Sequence, residues 1–582
     1  MSTLEVGVAL LFVLGAANHP STTDTLDVPI PPAGDYLSRP VFYERYPASN
    51  RPEDLELLRH GKVRLPHYEP VDIAKNYDWS RNTHVEQTWW MQMQELRFLL
   101  PAIASDTPED RALTRGYLVR WFRVHMIPKP QHRAWGEPMA VAYRAMVFVY
   151  YLKRESGRSE PDPDVVGLLQ AAILAHQEYL GGPGDFDENS NHAFIDALGL
   201  LETTRVYADR RAIATALNRL MAMLDRAVTP VGIEREQSPY YHFVVTLWTE
   251  QTVDYLNSLP SVPRAPVKHL AGCAPRMRVA AYFLQDHDGG IPQIGDGDSV
   301  GVDAFGANYR IEAAPSAATT LYDPNAGYAI YKGEAAQGDY RYVIFRNPNS
   351  TIRMPNHMHD DVLSVYFSFA GETILGDSGR YSYATGPQRN YVRSPCAHNT
   401  IVAAASLTQT PHPPRTRPAR SVRDRSTAGT QRWFASLRTT GSECRRTVLI
   451  PERANTVSVV DSILPVREGA EPEELAWIWN VGHDVIETKA SVPEQRDGGE
   501  WMLATRRGER VRVRVVVTGA GAPPLAVQEL IRGQEQPRLG WYSPSQGVLR
   551  PATAIVVRAR RDRLLVVRTD VEVIGKRAPR GE

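Results

Sequence analysis

Four short stretches of this sequence gather side chains that can move protons or hold a metal ion. The first, Asn189-Ser190-Asn191-His192, directly precedes a run with apolar residues at Phe194, Ala197, Leu198 and Leu201. Ser190 or Asn189 suits the N-cap of that helix, which puts Asn191 and His192 in the first turn. Free backbone N–H groups there favour an anion such as a carboxylate, although the same residues could serve as simple caps. The second, Arg235-Glu236-Gln237-Ser238-Pro239-Tyr240-Tyr241-His242, leads into a helix continuing through Trp248. A tyrosine beside a cationic or desolvating neighbour can be a general acid or base, while a Tyr-Tyr-His run can equally be packing.

The remaining two belong together. Asn356-His357-Met358-His359-Asp360-Asp361 is followed by Gly376-Asp377-Ser378-Gly379, then Arg389-Asn390-Tyr391-Val392-Arg393 and Ala397-His398-Asn399-Thr400. If 363–369 and 373–375 form a hairpin, His359 and Asp377 return to one end of a sheet, and His398 lies just before another strand. Two imidazoles, one carboxylate and an open position make a reasonable Zn²⁺ or Mn²⁺ site. His357 and His359 are two apart and share a face of an extended chain. Asp296-Gly297-Asp298 lacks the further spaced carboxylates of a Ca²⁺ loop and reads as a tight turn.

The elements that must position these residues fall into two groups. Up to about residue 320 the apolar positions recur at helical spacing, through Thr88–Ile103, Arg111–Val124, Trp135–Lys153, Val165–Tyr179, His192–Tyr207, Arg211–Ala227, Tyr240–Leu259 and Met277–Gln285. Breaks such as Gly181-Gly182-Pro183-Gly184 and Pro260 separate them. Stacked helical hairpins follow, as a solenoid or a closed α/α toroid, and periodicity alone does not choose between them. From about residue 325 short runs rich in β-branched and aromatic residues alternate with Gly, Pro, Asn and Asp, the pattern of an antiparallel sandwich. Helices first and strands afterwards predict an α+β chain of separate domains. We divide it into an N-terminal segment 1–34, a helical domain 35–322 and a β-sandwich domain 323–582 carrying the metal site.

A chain of 582 residues is long enough for two or three cores. Lys+Arg and Asp+Glu balance at 66 each, so no global charge points to nucleic acid, and any anion-binding surface is local. Five arginines in Pro414–Arg425 make a basic loop that could meet an anionic partner or simply be solvated. Cys273, Cys396 and Cys444 lie far apart with no CxxC spacing, which argues against a disulfide framework. The apolar run Val6–Ala17 is too short to span a bilayer. As a signal core it lacks the preceding Lys or Arg that signal peptides normally carry; a periplasmic or secreted protein is expected nonetheless, with a cytoplasmic one left open.

Taken together, these stretches resemble the heparinase II/III-like polysaccharide lyases, a superfamily of heparin, heparan, alginate and broader glycosaminoglycan lyases. The likeness runs from the helical region near Trp135 to about residue 460. It is strongest between His357 and Thr400, where His-x-His-x-Asp, Gly-Asp-x-Gly, Arg-x-Tyr-x-Arg-Ser and Ala-His-Asn-Thr keep the family's order. Asn191-His192 and Glu236 to His242 are similar to the family's two helical-domain motifs. The resemblance implies an incomplete α/α toroid followed by an antiparallel β-sandwich. It implies one structural divalent ion on His359, Asp377 and His398, Zn²⁺ or Mn²⁺ before Ca²⁺.

It also implies β-elimination at a uronate, in which the carboxylate beside C5 must be neutralised as negative charge develops. That part falls to Asn191 with His192. Tyr241, preceding His242 as in the family, becomes the acid at O4 and a candidate base; Tyr240 is its rival, and only the motif separates them. His357 is the complementary base, with Glu236, Arg389, Tyr391 and Arg393 lining the substrate cleft, since arginine grips carboxylate or sulfate in bidentate fashion. The expected partner is an acidic polysaccharide such as heparan sulfate, chondroitin sulfate or hyaluronan, with no nucleic acid or membrane, and the protein a monomer or homodimer. Alginate is the alternative substrate. Hydrolysis by paired carboxylates is a further reading, with Asp185, Asp187 and Glu188 crowding one loop. A silent glycan-binding scaffold is another. Trp89, Trp90 and Trp135 could be sugar platforms or core.

Overall fold

The computed structural model describes residues 39–46, 52–73, 77–79, 86–126, 135–182, 186–259, 262–306, 319–336, 338–348, 356–408, 419–439, 441–467, 469, 471–491, 497–519 and 527–576. The apolar run Val6–Ala17, Asp185 and positions 414–418 of the basic loop lie outside them. The chain splits into two compact units, one of residues 1–227 with Trp248–Ala274, the other of Val228–Leu247 with Pro275–Glu582.

The first unit is helical. Its main helices are α1 (Pro108–His125), α2 (Pro138–Ser156), α3 (Pro163–Gly181), α4 (His192–Thr203) and α5 (Arg210–Ala227). Three of these start with proline at N1, whose missing N–H costs nothing there. Thr107 caps α1 by accepting from the Asp110 N–H, and Asp162 caps α3 by accepting from those of Asp164 and Val165. Every residue of α2 from Ala140 to Leu152 is buried, as befits a helix surrounded by others. α4 crosses it at Gly199, where a Cβ would come within 2.6 Å of the Ala142 Cβ. Trp89, Trp90 and Trp135 are all buried, so they are core. The segment expected as one helix over Thr88–Ile103 is two, Gln87–Gln94 and Leu100–Ser105, because Leu96 takes a left-handed φ of 56°. No helix among the described residues is long and apolar enough to cross a membrane.

Two further helices, α6 (Pro239–Asn257) and α7 (Arg264–Phe283), run from one unit into the other along the chain. The expected helix over Met277–Gln285 begins far earlier because Pro275 lies inside α7 instead of ending it.

The second unit is built on antiparallel sheets. Strands β1 (Thr320–Asp323), β2 (Tyr328–Glu334), β3 (Tyr340–Arg346), β4 (Val365–Phe369) and β5 (Glu372–Leu375) form a five-stranded meander in sequence order. An eight-stranded sheet follows the order β12-β13-β14-β17-β10-β9-β8-β7. In chain order those strands are β7 (Ala419–Asp424), β8 (Thr430–Arg438), β9 (Ser442–Pro451), β10 (Thr456–Pro465), β12 (Val485–Ala490), β13 (Gly498–Thr505), β14 (Glu509–Gly519) and β17 (Leu565–Lys576). A four-stranded sheet joins β15 (Val527–Arg532), β16 (Thr553–Arg561), β11 (Glu473–Asn480) and β6 (Ile401–Ala403) in that order.

Burial explains the two kinds of strand sequence. The eight-stranded sheet alternates buried and accessible residues, having one face in the core. In β2, β3 and β4 nearly every residue is buried. Ala329, Tyr331, Val343, Phe345 and Phe367 enter the sandwich core with Trp433, Trp477 and Trp479. Their neighbours Tyr328, Ile330, Tyr342 and Ile344 point to the opposite face, against Phe243, Ala281, Phe283 and Leu284. The switch from helix to strand near residue 320 is a change of secondary structure. Compactness follows this second core, which ties 228–247 and the end of α7 to the sheet.

Candidate active site

Within the second unit, three loops meet. The turn at Glu236–Ser238 precedes α6, the turn at Gly295–Asp296 follows α7, and His357–Asp361 leads into β4. The backbone stitches them: His357 N–H donates to Glu236 O at 3.2 Å and Asp296 N–H to His357 O at 3.1 Å. The Ser238 hydroxyl donates to Asp296 O at 2.7 Å. Gly295 is required, since at φ +64° a Cβ would lie 2.5 Å from Gln237 O and 2.7 Å from His357 O.

Tyr241, in the first turn of α6, stacks its ring on His357 with centroids 3.5 Å apart and planes 7° from parallel. Its hydroxyl lies 2.5 Å from that of Tyr383. Burial pushes the Tyr241 phenol well above its ordinary value, and Tyr383 adds to this against the pull of Arg380. Burial raises Tyr383 to about 12, with Asp296 adding and Arg380 opposing. Arg380 donates to the Tyr383 hydroxyl at 3.4 Å and to Asp298 at 2.6 Å.

His357 lies between two carboxylates, with Nδ1 at 3.0 Å from Asp296 Oδ2 and Nε2 at 3.4 Å from Glu236 Oε2. Burial favours the neutral ring, yet the bonds to Asp296 and Glu236 outweigh it and raise the imidazole above its ordinary value. His359 Nε2 lies 2.9 Å from Asp296 Oδ1. Burial and the neighbouring His398 and Arg389 hold His359 near 4 despite that bond, so it is neutral at neutral pH, the form that binds metal. Burial opposes ionisation of Asp296, but Arg389 and the two histidines overcome it and hold the carboxyl well below its usual range.

His359, Asp377 and His398 each bring one donor atom to within 4.8 Å of the others. His359 Nδ1 and His398 Nε2 are buried with no hydrogen-bond partner, an expensive condition that a bound cation would relieve. The cluster therefore fits a divalent ion. β4 and β5 are antiparallel and bring the chain back from His359 to Asp377, as the expected hairpin requires. Around His398 the chain is pinned by Asn399, whose amide donates to Val365 O at 2.7 Å and Gly376 O at 2.9 Å while its oxygen accepts from Asn480 N–H. Buried Arg446, paired with Asp461 at 2.8 Å, donates to Leu363 O and Asn399 O. The Asn of Ala-His-Asn-Thr is thus a staple between strands.

Of the expected site residues, the second unit brings together Glu236, Tyr241, His357, His359, Asp377, Arg389 and His398. Asn191 and His192 belong to the first unit: Asn191, buried, takes the N-cap position of α4, and His192 N–H donates to Ser190 Oγ at 3.3 Å. Residues 387–393 form a short helix, which buries two of the expected cleft residues. Arg389 spends its guanidinium on Asp296, at 2.5 and 2.8 Å. Tyr391 is enclosed in an apolar cluster, and its hydroxyl meets the Trp541 backbone at 3.3 and 3.4 Å, a packing role in place of the substrate contact expected. Arg393 stays partly accessible. Asp296, Asp298, Arg380 and Tyr383 are additions; in sequence the first two read only as a turn. Glu188 pairs with Arg226 at 2.6 Å.

Residues 322–572 match the family model described as Heparinase II/III-like, C-terminal. No curated protein sequence matches the chain. Among solved structures, a crystal structure of heparinase III aligns with 100% of this chain and 91% of its own at 13% identity, with a TM-score of 0.69. The heparan sulfate lyase HepC from Pedobacter heparinus aligns over 94% of this chain and 88% of its own, at 14% identity and a TM-score of 0.63. A Paenibacillus xanthan lyase aligns over 93% and 58% respectively, at 9% identity and a TM-score of 0.54. At such identities the likeness establishes the fold, a helical N-terminal part followed by antiparallel sheets.

Proposed function

We propose that this chain, whose residues 322–572 match the heparinase II/III-like C-terminal model, is a polysaccharide lyase cleaving uronate-containing glycans by β-elimination. The observation that carries the reading is the Tyr241–His357 stack, with its rings 3.5 Å apart and both residues facing polar partners in place of apolar packing. Elimination needs a base for the C5 proton and an acid for the departing O4. Tyr241 holds its proton firmly and is the acid. His357, made more basic by Asp296 and Glu236, is the base, with Nε2 as the accepting atom and Glu236 steadying the imidazolium that forms. Tyr383 backs Tyr241 and can return its proton.

The family motif assigns the substrate carboxylate to Asn191 with His192; within the second unit, Arg393 is a partly accessible cation for an acidic group. His359, Asp377 and His398 would hold one divalent ion, Zn²⁺ or Mn²⁺ by the chemistry of two imidazoles and a carboxylate. When bound, the ion cross-links the loop before β4, the chain after β5 and the turn before β6, a structural contribution.

Glycosaminoglycans such as heparan sulfate, chondroitin sulfate and hyaluronan are the proposed substrates. The test is a panel of these polymers with alginate, followed by absorbance of the new C4–C5 double bond. Turnover of a uronate polymer with unsaturated ends is the expected result. Saturated ends would establish hydrolysis, and glycan binding without turnover on any polymer would establish a scaffold; either outcome overturns the lyase reading.

A further inference from the structure

Both histidines of the His-x-His stretch reach one carboxylate. Asp296 Oδ2 faces His357 Nδ1 at 3.0 Å, and Oδ1 faces His359 Nε2 at 2.9 Å. An ionised carboxylate only accepts hydrogen bonds, so each of those ring nitrogens must carry the proton. Two tautomers are set at once. His359 protonated on Nε2 leaves Nδ1 as its lone-pair atom, the same buried atom that has no hydrogen-bond partner. His357, carrying its Nδ1 proton toward Asp296, turns Nε2 toward Glu236 Oε2 at 3.4 Å on the far side of its ring.

Asp296 cannot shift to follow one histidine without releasing the other. Arg389 grips both of its oxygens, at 2.5 and 2.8 Å. Its backbone is tied to His357 O and to the Ser238 hydroxyl, behind a glycine with no room to move. We infer that Asp296 is a positioning residue that couples occupancy of the His359–Asp377–His398 cluster to the orientation of the His357 ring over Tyr241. A cation on Nδ1 fixes the His359 ring from one side while Asp296 fixes it from the other. Without the cation that ring is held by a single hydrogen bond, and its rotation loosens Oδ1 and, through the shared carboxylate, the seat of His357. The inference rests on reading the cluster as a cation site and the stack as the proton-transfer pair.

The test uses the full chain labelled with ¹⁵N-histidine, stripped with chelator and titrated with Zn²⁺. Two-bond ¹H–¹⁵N spectra report which ring nitrogen carries the proton, and they need no turnover. Zn²⁺ is expected to move the resonances of His359 and His398 and, at the same stoichiometry, those of His357. In Asp296→Asn the single amide oxygen can accept from one histidine only, so His357 should no longer respond. Its kcat should fall about 10- to 100-fold, the usual effect of losing a partner that orients a ligand, with KM nearly unchanged. The wild-type titration decides the matter even if that variant fails to fold around an unpaired Arg389. A His357 signal indifferent to Zn²⁺ overturns the coupling, and so does failure of Zn²⁺ to bind. Coupled shifts in a protein that cleaves no uronate polymer would instead sink the lyase reading and leave the role of Asp296 standing.

Discussion

Replacing Tyr241 by phenylalanine removes one oxygen from the centre of the site, and the structure allows the two consequences to be separated. On the structural side, the phenyl ring keeps its stack on His357, so the packing contribution is retained. One hydrogen bond is lost, the 2.5 Å contact with Tyr383. The Tyr383 hydroxyl is not stranded, because Arg380 still donates to it at 3.4 Å. A net hydrogen bond is worth about 0.5–1.5 kcal/mol, and with the partner still satisfied the lower end applies. On the chemical side, a positioned general acid contributes roughly 10²- to 10⁴-fold. At about 1.36 kcal/mol per decade that is roughly 3–5 kcal/mol of barrier, several times the structural cost.

The expected variant therefore has a thermal unfolding profile close to wild type and a kcat lowered by at least about 100-fold on whichever uronate polymer the wild type cleaves. Continuous absorbance of the unsaturated product gives the rate, and calorimetry gives the fold. Tyr240→Phe is the internal control, since that ring packs against Phe305 at a centroid distance of 5.4 Å and is the nearest competitor for the role. It should retain near-normal activity. A Tyr241→Phe protein working within about threefold of wild type would refute the assignment, since general acid catalysis is worth far more. A dead Tyr240→Phe protein with an active Tyr241→Phe would move the acid by one residue.

Three other outcomes follow from particular contacts. His359→Ala should lose the bound divalent ion and unfold at lower temperature; metal analysis showing undiminished stoichiometry would dismiss the cluster as a ligand set. His242, fully buried, accepts the Glu234 N–H on Nδ1 and meets Met277 O through Nε2, and burial holds it near 4, so it folds neutral. The unfolded chain then binds the extra proton between about pH 6.5 and 4, and stability present above that window is lost as pH falls through it, by up to about 3 kcal/mol. Melting temperatures from pH 7 to 4.5 should show a steeper acid slope for wild type than for His242→Asn, and identical slopes would refute the assignment. Gly199→Ala should destabilise the helical unit by about 1–2 kcal/mol, because the clash with Ala142 at 2.6 Å exceeds the roughly 1 kcal/mol gained in helix propensity. A raised melting temperature would show that α2 and α4 can part at little cost.

Much of the architecture was legible because burial imposes a period. α3, α5 and the alternating strands of the outer sheet have one buried face, and their spacing gives them away. Reading failed where the backbone departs from the local signal: Pro275 sits inside α7, and Leu96 adopts a left-handed turn that no leucine advertises. The cluster donors were legible because histidine pairs and a Gly-Asp turn have few structural uses in combination. Arg389 and Tyr391 show the limit of spacing. The resemblance and arginine's chemistry suggested that they line a substrate cleft with Arg393, but the short helix at 387–393 buries both and leaves Arg393 only partly accessible.

Asp296 is the instructive omission. Flanked by glycines and followed by Asp298, it carries every local mark of a turn, and it is a turn. Its chemistry comes from partners 61, 63 and 93 residues away, none of which constrains its neighbours in sequence. A carboxylate that is fully buried and meets three cationic or cation-capable side chains gains nothing from solvent, so its geometry is dictated by those partners alone. Arg389 therefore supports the site through Asp296: it supplies the charge that keeps Asp296 ionised, and an ionised Asp296 is what obliges both histidines to place a proton on the side that faces it. Residues of this kind leave their trace in the folded chain, where the number of buried groups depending on one carboxylate can be counted.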